Sequence, residues 1–201
     1  MTPFTTLTSK VLPILEDRID TDIIFPARFL LLMQRDEMGR YFFADQRTAP
    51  DGSELPHPAN DPRYRGAEIL VAGADFGCGS SREQAVWSLA SFGIRCVIAE
   101  SLGEIFAANC LRNGVLGITL PRPVIDALAA VEDPVTVDLE AQEIRAVGTA
   151  FPFSIPAAHR ERLLNGWDDI DLILAQEGDR LDAFEAAQRN IQPWLYGAPH
   201  V

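Results

Sequence analysis

A run of thirteen residues constrains this chain more than any other: Ala72-Gly73-Ala74-Asp75-Phe76-Gly77-Cys78-Gly79-Ser80-Ser81-Arg82-Glu83-Gln84. An apolar, strand-like run from Glu68 to Ala72 leads into it, and a helix-like run from about Ser81 to Phe92 leads out. Glycines at 73, 77 and 79 permit positive φ and close approach of a ligand to the backbone. The first turn of a helix carries unsatisfied N–H donors and a partial positive charge, which suits an anion. Arg82 adds a planar fork matched to carboxylates. A carboxylate cradle is therefore one reading of the turn. A second is a Ser-x-x-Glu capping box, with Ser80 as N-cap and Glu83 reaching back. The local pattern leaves both open. It does exclude three common motifs. A dinucleotide fingerprint needs Gly where Arg82 stands, a Walker loop needs an absent Lys, and a nucleophile elbow needs Gly where Glu83 stands.

The pattern that follows predicts an α/β fold. Ile94 to Ala99 reads as a buried strand and Gly103 to Asn113 as a helix stopped by Asn113-Gly114. Val115 to Leu120 is another strand, and Pro121 opens a helix over Pro123 to Val131. Strands and helices alternating at this spacing build a parallel sheet, with the glycine turn at the carboxyl end of a strand, where such sheets bind ligands. Thr8 to Glu16 reads as a first strand. Val135 to Leu139 and Glu143 to Val147 form a hairpin, and Phe151 to Ile155 adds a strand. Pro156 to Leu164 reads as a helix, and Asp168 to Asn190 as two helices broken at Gly178. The 201 residues read as one domain with a helical extension from about 156 to 201.

Between the first strand and the glycine turn lie two irregular stretches. Asp17, Asp20 and Asp22 crowd a turn before Ile23-Ile24-Phe25-Pro26. They lack the ligand spacing of a calcium loop, so side-chain bonds to the backbone are the simpler reading. Phe29 to Phe43 is helical in part. Asp45 to Arg65 is a long proline-rich connection carrying His57, which reads as a solvated surface residue. His159 also reads as surface, and Trp194 and Tyr196 dock the tail or meet a partner.

Composition narrows the function classes. An apolar content of 47% supports a well-packed core, and a net charge of -12 argues against nucleic-acid or anionic-membrane surfaces. Three cysteines, Cys78, Cys96 and Cys110, without C-x-x-C spacing, suit a reducing compartment. No stretch reaches membrane-spanning length and no signal-peptide pattern opens the chain, so a cytoplasmic location is expected.

Three motifs together are similar to one family. Asp20-Thr21-Asp22 before Ile-Ile-x-Pro, Asp75-Phe76-Gly77-Cys78-Gly79-Ser80-Ser81-Arg82-Glu83, and Ile105-Phe106-x-x-Asn109-Cys110-x-x-Asn113-Gly114 resemble the aconitase swivelling-domain family. Motif order, length, the Val137 to Glu143 run and the C-terminal helices resemble its branch of bacterial 3-isopropylmalate dehydratase small subunits. The resemblance spans nearly the whole chain.

It implies an aconitase-like swivelling β/β/α domain: a parallel sheet with flanking helices, barrel-like β elements and C-terminal helices. It implies a large-subunit partner carrying a [4Fe–4S] cluster, with no cofactor or metal bound by this chain. The implied reaction moves a hydroxyl of 2-isopropylmalate to the adjacent carbon through an alkene, in leucine biosynthesis. Ser80 would be the base, as an alkoxide stabilised by the helix start. Ser81 and Arg82, with Gly79 and Thr21 alongside, would hold a substrate carboxylate, and Asp22 would orient a partner group at the catalytic interface. Arg35 and Arg28 are candidates for a further substrate arginine. Gln84 departs from the His found in many members, and Arg28 lies in a variable loop. Both leave room for another 2-hydroxy diacid, such as methylmalate or citraconate, dimethylmalate or homoaconitate. A non-catalytic binding module is the remaining alternative.

Overall fold

The computed structural model describes residues 1–31, 34–79 and 82–197. They fall into two compact units divided between Gly166 and Trp167. Two four-stranded sheets organise the first. The parallel sheet contains β2 (Val11–Ile14), β3 (Ile69–Ala72), β4 (Cys96–Ala99) and β5 (Leu116–Thr119) in chain order, with Ile69 opposite Cys96 and Cys96 opposite Leu116. The antiparallel sheet runs β1 (Thr6–Ser9), β6 (Val135–Asp138), β7 (Glu143–Ala146) and β8 (Thr149–Pro152).

The strand expected over Thr8 to Glu16 is thus two strands in two sheets. Lys10 divides them, and the Ser9 hydroxyl accepts the Glu68 amide at 2.8 Å, tying the junction to the start of β3. Both proline-bearing strands, β2 with Pro13 and β8 with Pro152, are edge strands, where a missing N–H costs no ladder bond. The last strand starts two residues earlier than its apolar run suggests, because the hairpin partner Ala146 pairs with Thr149.

Alternation in β3 and β4 builds two cores at once. Leu70, Ala72, Val97 and Ala99 face one cluster, shared with Phe25, Phe42, Phe43, Phe76 and Phe106. Ile69, Val71, Cys96 and Ile98 face the other, shared with Ile125, Leu128, Val135, Val137 and Ile144. A sheet buried on both faces explains the near-continuous apolar runs. The helices that cover it are α3 (Glu83–Phe92), α4 (Glu104–Arg112) and α5 (Arg122–Ala129), while α6 (Ala157–Asn165) adds Leu163 to the second core. Short helical turns fill the irregular stretches, including α1 (Thr21–Ile24) and α2 (Ala44–Arg47).

The second unit holds α7 (Asp169–Ile191) and a 3₁₀ turn, Pro193–Tyr196. Gly178 does not break the helix. No atom lies within 4 Å of where its Cβ would be, so only its propensity penalty of about 1 kcal/mol is felt. A capping box of Asp168 and Asp171 holds the start. The Tyr196 hydroxyl bonds Gln188 at 2.5 Å, folding the tail back. Trp194 is exposed. Among the described residues no helix is long and apolar enough to cross a membrane.

Candidate active site

Three loops meet at the carboxyl ends of β2, β3 and β4. The loop after β2 is bonded to the glycine turn at three levels. The Ala74 amide donates to Asp17 Oδ1 at 2.8 Å, Gly77 N donates to the Ile19 carbonyl at 2.7 Å, and Thr21 N donates to the Cys78 carbonyl at 3.0 Å. The loop after β4 closes from the other side, with Phe76 N on the Ser101 carbonyl and Gly103 N on the Phe76 carbonyl. Ser101 Oγ also receives the Asp75 amide at 2.7 Å.

Two glycines are fixed by this stitching. Gly77 has φ 74° and a Cβ there would stand 2.2 Å from Phe106 Cγ, so no side chain fits. Gly79 has φ 92° and a Cβ there would come 3.3 Å from Asp20 Cβ, so the turn runs close beside the aspartate loop.

The aspartates do not converge on a common point. Asp17 takes Ala74 N, Asp20 Oδ1 caps α1 by accepting Ile23 N at 2.8 Å, and Asp22 pairs with Arg82. Each has a protein partner of its own, as an aspartate-rich turn requires. The Arg82 to Asp22 ion pair links α1 to the start of α3, with side-chain exposures of 24% and 49%. A pair this exposed stabilises the fold by about 1 kcal/mol at most. Its consequence is placement: the guanidinium is held at the mouth of the glycine turn, with a carboxylate that a ligand carboxylate can exchange or share.

Asp22, Arg82, Gly79 and the buried Thr21 are therefore neighbours. Ser80 and Ser81 lie outside the described residues. The second reading of the turn, a capping box with Ser80 as N-cap and Glu83 reaching back, does not match the start of α3. The helix begins at Glu83, and its N-cap is Arg82 in extended conformation, without a side-chain cap bond. Glu83 instead accepts Asn113 Nδ2 at 2.8 Å, and the same amide donates to the Asn109 carbonyl at 2.9 Å. In the sequence Asn113, followed by Gly114, reads as a helix stop. Its second use, tying the end of α4 to the first residue of α3, had only the Asn109-x-x-x-Asn113 spacing as a signal.

The two remaining arginines part company. Arg35 lies over the Trp87 ring at 3.9 Å, one helical turn along α3 from Glu83, and with Trp87 and Asn113 lines a cavity of about 240 Å³. Arg28 donates to Asp45 Oδ2 at 2.9 Å, and this bond holds the Asp45 carboxyl below its ordinary range. Arg28 thus belongs to the surface of α2, and Arg35 to the flank of α3.

His57 also differs from its surface reading. Its ring packs 5.2 Å from that of Phe43, and Nδ1 accepts the Ala59 amide at 3.1 Å. Burial, with the nearby Arg47 guanidinium, pushes its pKa down to about 4. His159 is exposed, as read.

The cysteines do not fit a cluster site. Cys96 and Cys110 are fully buried among apolar side chains, and burial pushes both thiols far up; Cys78 is half-buried. All three are free thiols. No group of three metal-ligating side chains converges among the described residues.

Comparison with known proteins agrees with this architecture. Residues 1–123 match the model of the aconitase C-terminal domain. A 3-isopropylmalate dehydratase small subunit from Rhodospirillum centenum is 48% identical over 98% of this chain and 100% of its own length. One from Gluconacetobacter diazotrophicus is 47% identical over 96% of this chain and 97% of its own. A solved structure titled 3-isopropylmalate dehydratase, from Methanocaldococcus jannaschii, has the same fold with a TM-score of 0.67, at 24% identity over 89% of this chain and 99% of that one. The chain belongs to the 3-isopropylmalate dehydratase small-subunit family, built on the aconitase C-terminal domain.

Proposed function

We propose that the chain is the small subunit of a hydro-lyase that isomerises 2-isopropylmalate to 3-isopropylmalate by dehydration and rehydration, a step of leucine biosynthesis. The observation that carries this is the match at 48% identity along the full length of a relative of that name. The large subunit completes the enzyme. The Lewis acidity that loss of a hydroxide requires comes from that subunit, through its [4Fe–4S] cluster. The three free thiols suit a cytoplasmic setting.

On this reading the chain supplies the base and a carboxylate clamp. Ser80, just ahead of α3, takes the C–H proton as an alkoxide. The glycine turn and helix start provide the N–H donors that such an anion needs. Arg82 and Ser81 hold a substrate carboxylate, with Gly79 and Thr21 shaping the pocket floor. Asp22 sets the Arg82 fork before substrate arrives and orients a group of the large subunit afterwards. Arg35, on the α3 side, is the better candidate for a second carboxylate contact. Arg28 is engaged by Asp45.

The test is reconstitution with the large subunit and steady-state rates on 2-isopropylmalate and a panel of other 2-hydroxy diacids. Turnover is expected on 2-isopropylmalate, and Ser80→Ala is expected to lower kcat by about 10³-fold or more with little change in KM. A fully active Ser80→Ala enzyme removes the base assignment. A rate confined to another diacid moves the substrate assignment.

A further inference from the structure

The helix α7 carries an apolar stripe that no core residue of its own unit covers. At 100° per residue, Ile170, Ile173, Leu174, Leu181, Phe184 and Ile191 fall on one face about 100° wide, which also carries Glu177, paired with Arg180, and Gln188, bonded to Tyr196. No residue of the helix is buried; Ile170 is 66% exposed, Phe184 60% and Ile191 71%. Trp194 and Leu195 extend the exposed apolar surface past its end. A face of this size on a stable helix marks an interaction surface.

Charge says what kind of partner fits. Asp169–Ile191 holds six carboxylates against two guanidiniums, a net charge of -4. Both guanidiniums are engaged within the helix, Arg180 by Glu177 at 2.6 Å and Arg189 by Glu185 at 3.5 Å. By helical position, Asp169 and Arg180 border the stripe on one side, and Asp171, Asp182 and Glu185, with Arg189 among them, lie along the other. A second copy of this helix, itself of net charge -4, would bring an excess of like charge to the rim of Asp171, Asp182 and Glu185, which disfavours self-pairing. The complement is an apolar groove edged with Lys and Arg. The segment also lies beyond residues 1–123, which match the aconitase C-terminal domain, yet it lies within the span shared with relatives named small subunits.

We infer that the apolar face of α7 docks into a basic-rimmed groove of the large subunit, as a helix-in-groove contact. The inference rests on the small-subunit reading above. The whole chain with Leu174→Glu and Phe184→Glu, changes that keep helix propensity, is compared with wild type for binding to the purified large subunit by sedimentation. A milder Leu174→Ala, Phe184→Ala pair guards against misfolding. The Glu pair is expected to weaken association at least 100-fold, and the Ala pair at least 10-fold, with the far-UV spectrum and Tm of the isolated chain unchanged. Neutralising the rim by Asp182→Asn and Glu185→Gln is expected to slow association at low salt, and less so at high salt. Unchanged affinity in the Glu pair overturns the inference. So does a wild-type chain that dimerises alone through this face, or a fall in Tm showing that the face covers its own chain. A wild-type pair that associates through α7 yet turns over no 2-isopropylmalate supports the surface and overturns the assigned reaction.

Discussion

At His57 the balance between burial and protonation sets a measurable signature. The unfolded side chain takes its proton near pH 6.5, whereas the folded one stays neutral down to about 4. Between those values the unfolded state binds more protons, so stability falls as pH falls. The loss begins below pH 6.5 and is complete below about 4. His57→Asn keeps an acceptor for the Ala59 amide but does not titrate. Urea midpoints measured from pH 7 to 4 are expected to fall less steeply in this variant than in wild type; parallel slopes would show that His57 is not the source. The sequence around His57 is polar and proline-rich, and nothing in it reveals the ring of Phe43, which arrives from another turn of the chain. Arg82 was legible as a fork at a helix start, because glycines followed by an Arg before a helical run have few other uses. Its pairing with Asp22, sixty residues away, was not.

Among elements, the start of α3 depends on the end of α4. The N-cap of α3 makes no side-chain cap bond, and Asn113 holds the Glu83 carboxylate instead. Asn113→Ala removes that bond and the one to the Asn109 carbonyl. It is expected to cost about 1–2 kcal/mol in denaturant unfolding, and to lower kcat of the reconstituted enzyme more than it changes KM. Equal kcat in a destabilised variant would limit Asn113 to a structural role. Elements with strong periodicity or clear stops were legible: β3, α4 with Gly114, the β6–β7 hairpin and α6 with Gly166. Where two elements share a run, sequence misleads. β1 and β2 read as one strand because both are extended, and only their different pairing partners separate them. At Gly178 the opposite happens: a helix breaker by propensity sits inside a helix that twenty-two other residues sustain.

Over the whole molecule, the two compact units differ in how they are held. Residues 1–166 enclose both cores, whereas α7 buries none of its side chains. A chain ending at Gly166 is therefore expected to unfold cooperatively with a Tm within a few degrees of the full chain in calorimetry. A broad transition, or a much lower Tm, would show that the last helix supports the first unit. What the sequence determined by itself was the alternation of buried strands and capped helices, the glycine turn at the end of β3 and the chemistry of an arginine there. These are local consequences of side-chain period, glycine conformation and helix-end polarity. Tertiary structure alone decided which loops surround the turn, that Asp22 takes Arg82, that Asn113 holds Glu83 at the helix start, and that Arg35 and Arg28 face different neighbours. Those outcomes depend on contacts between residues far apart in the chain, which no local pattern encodes.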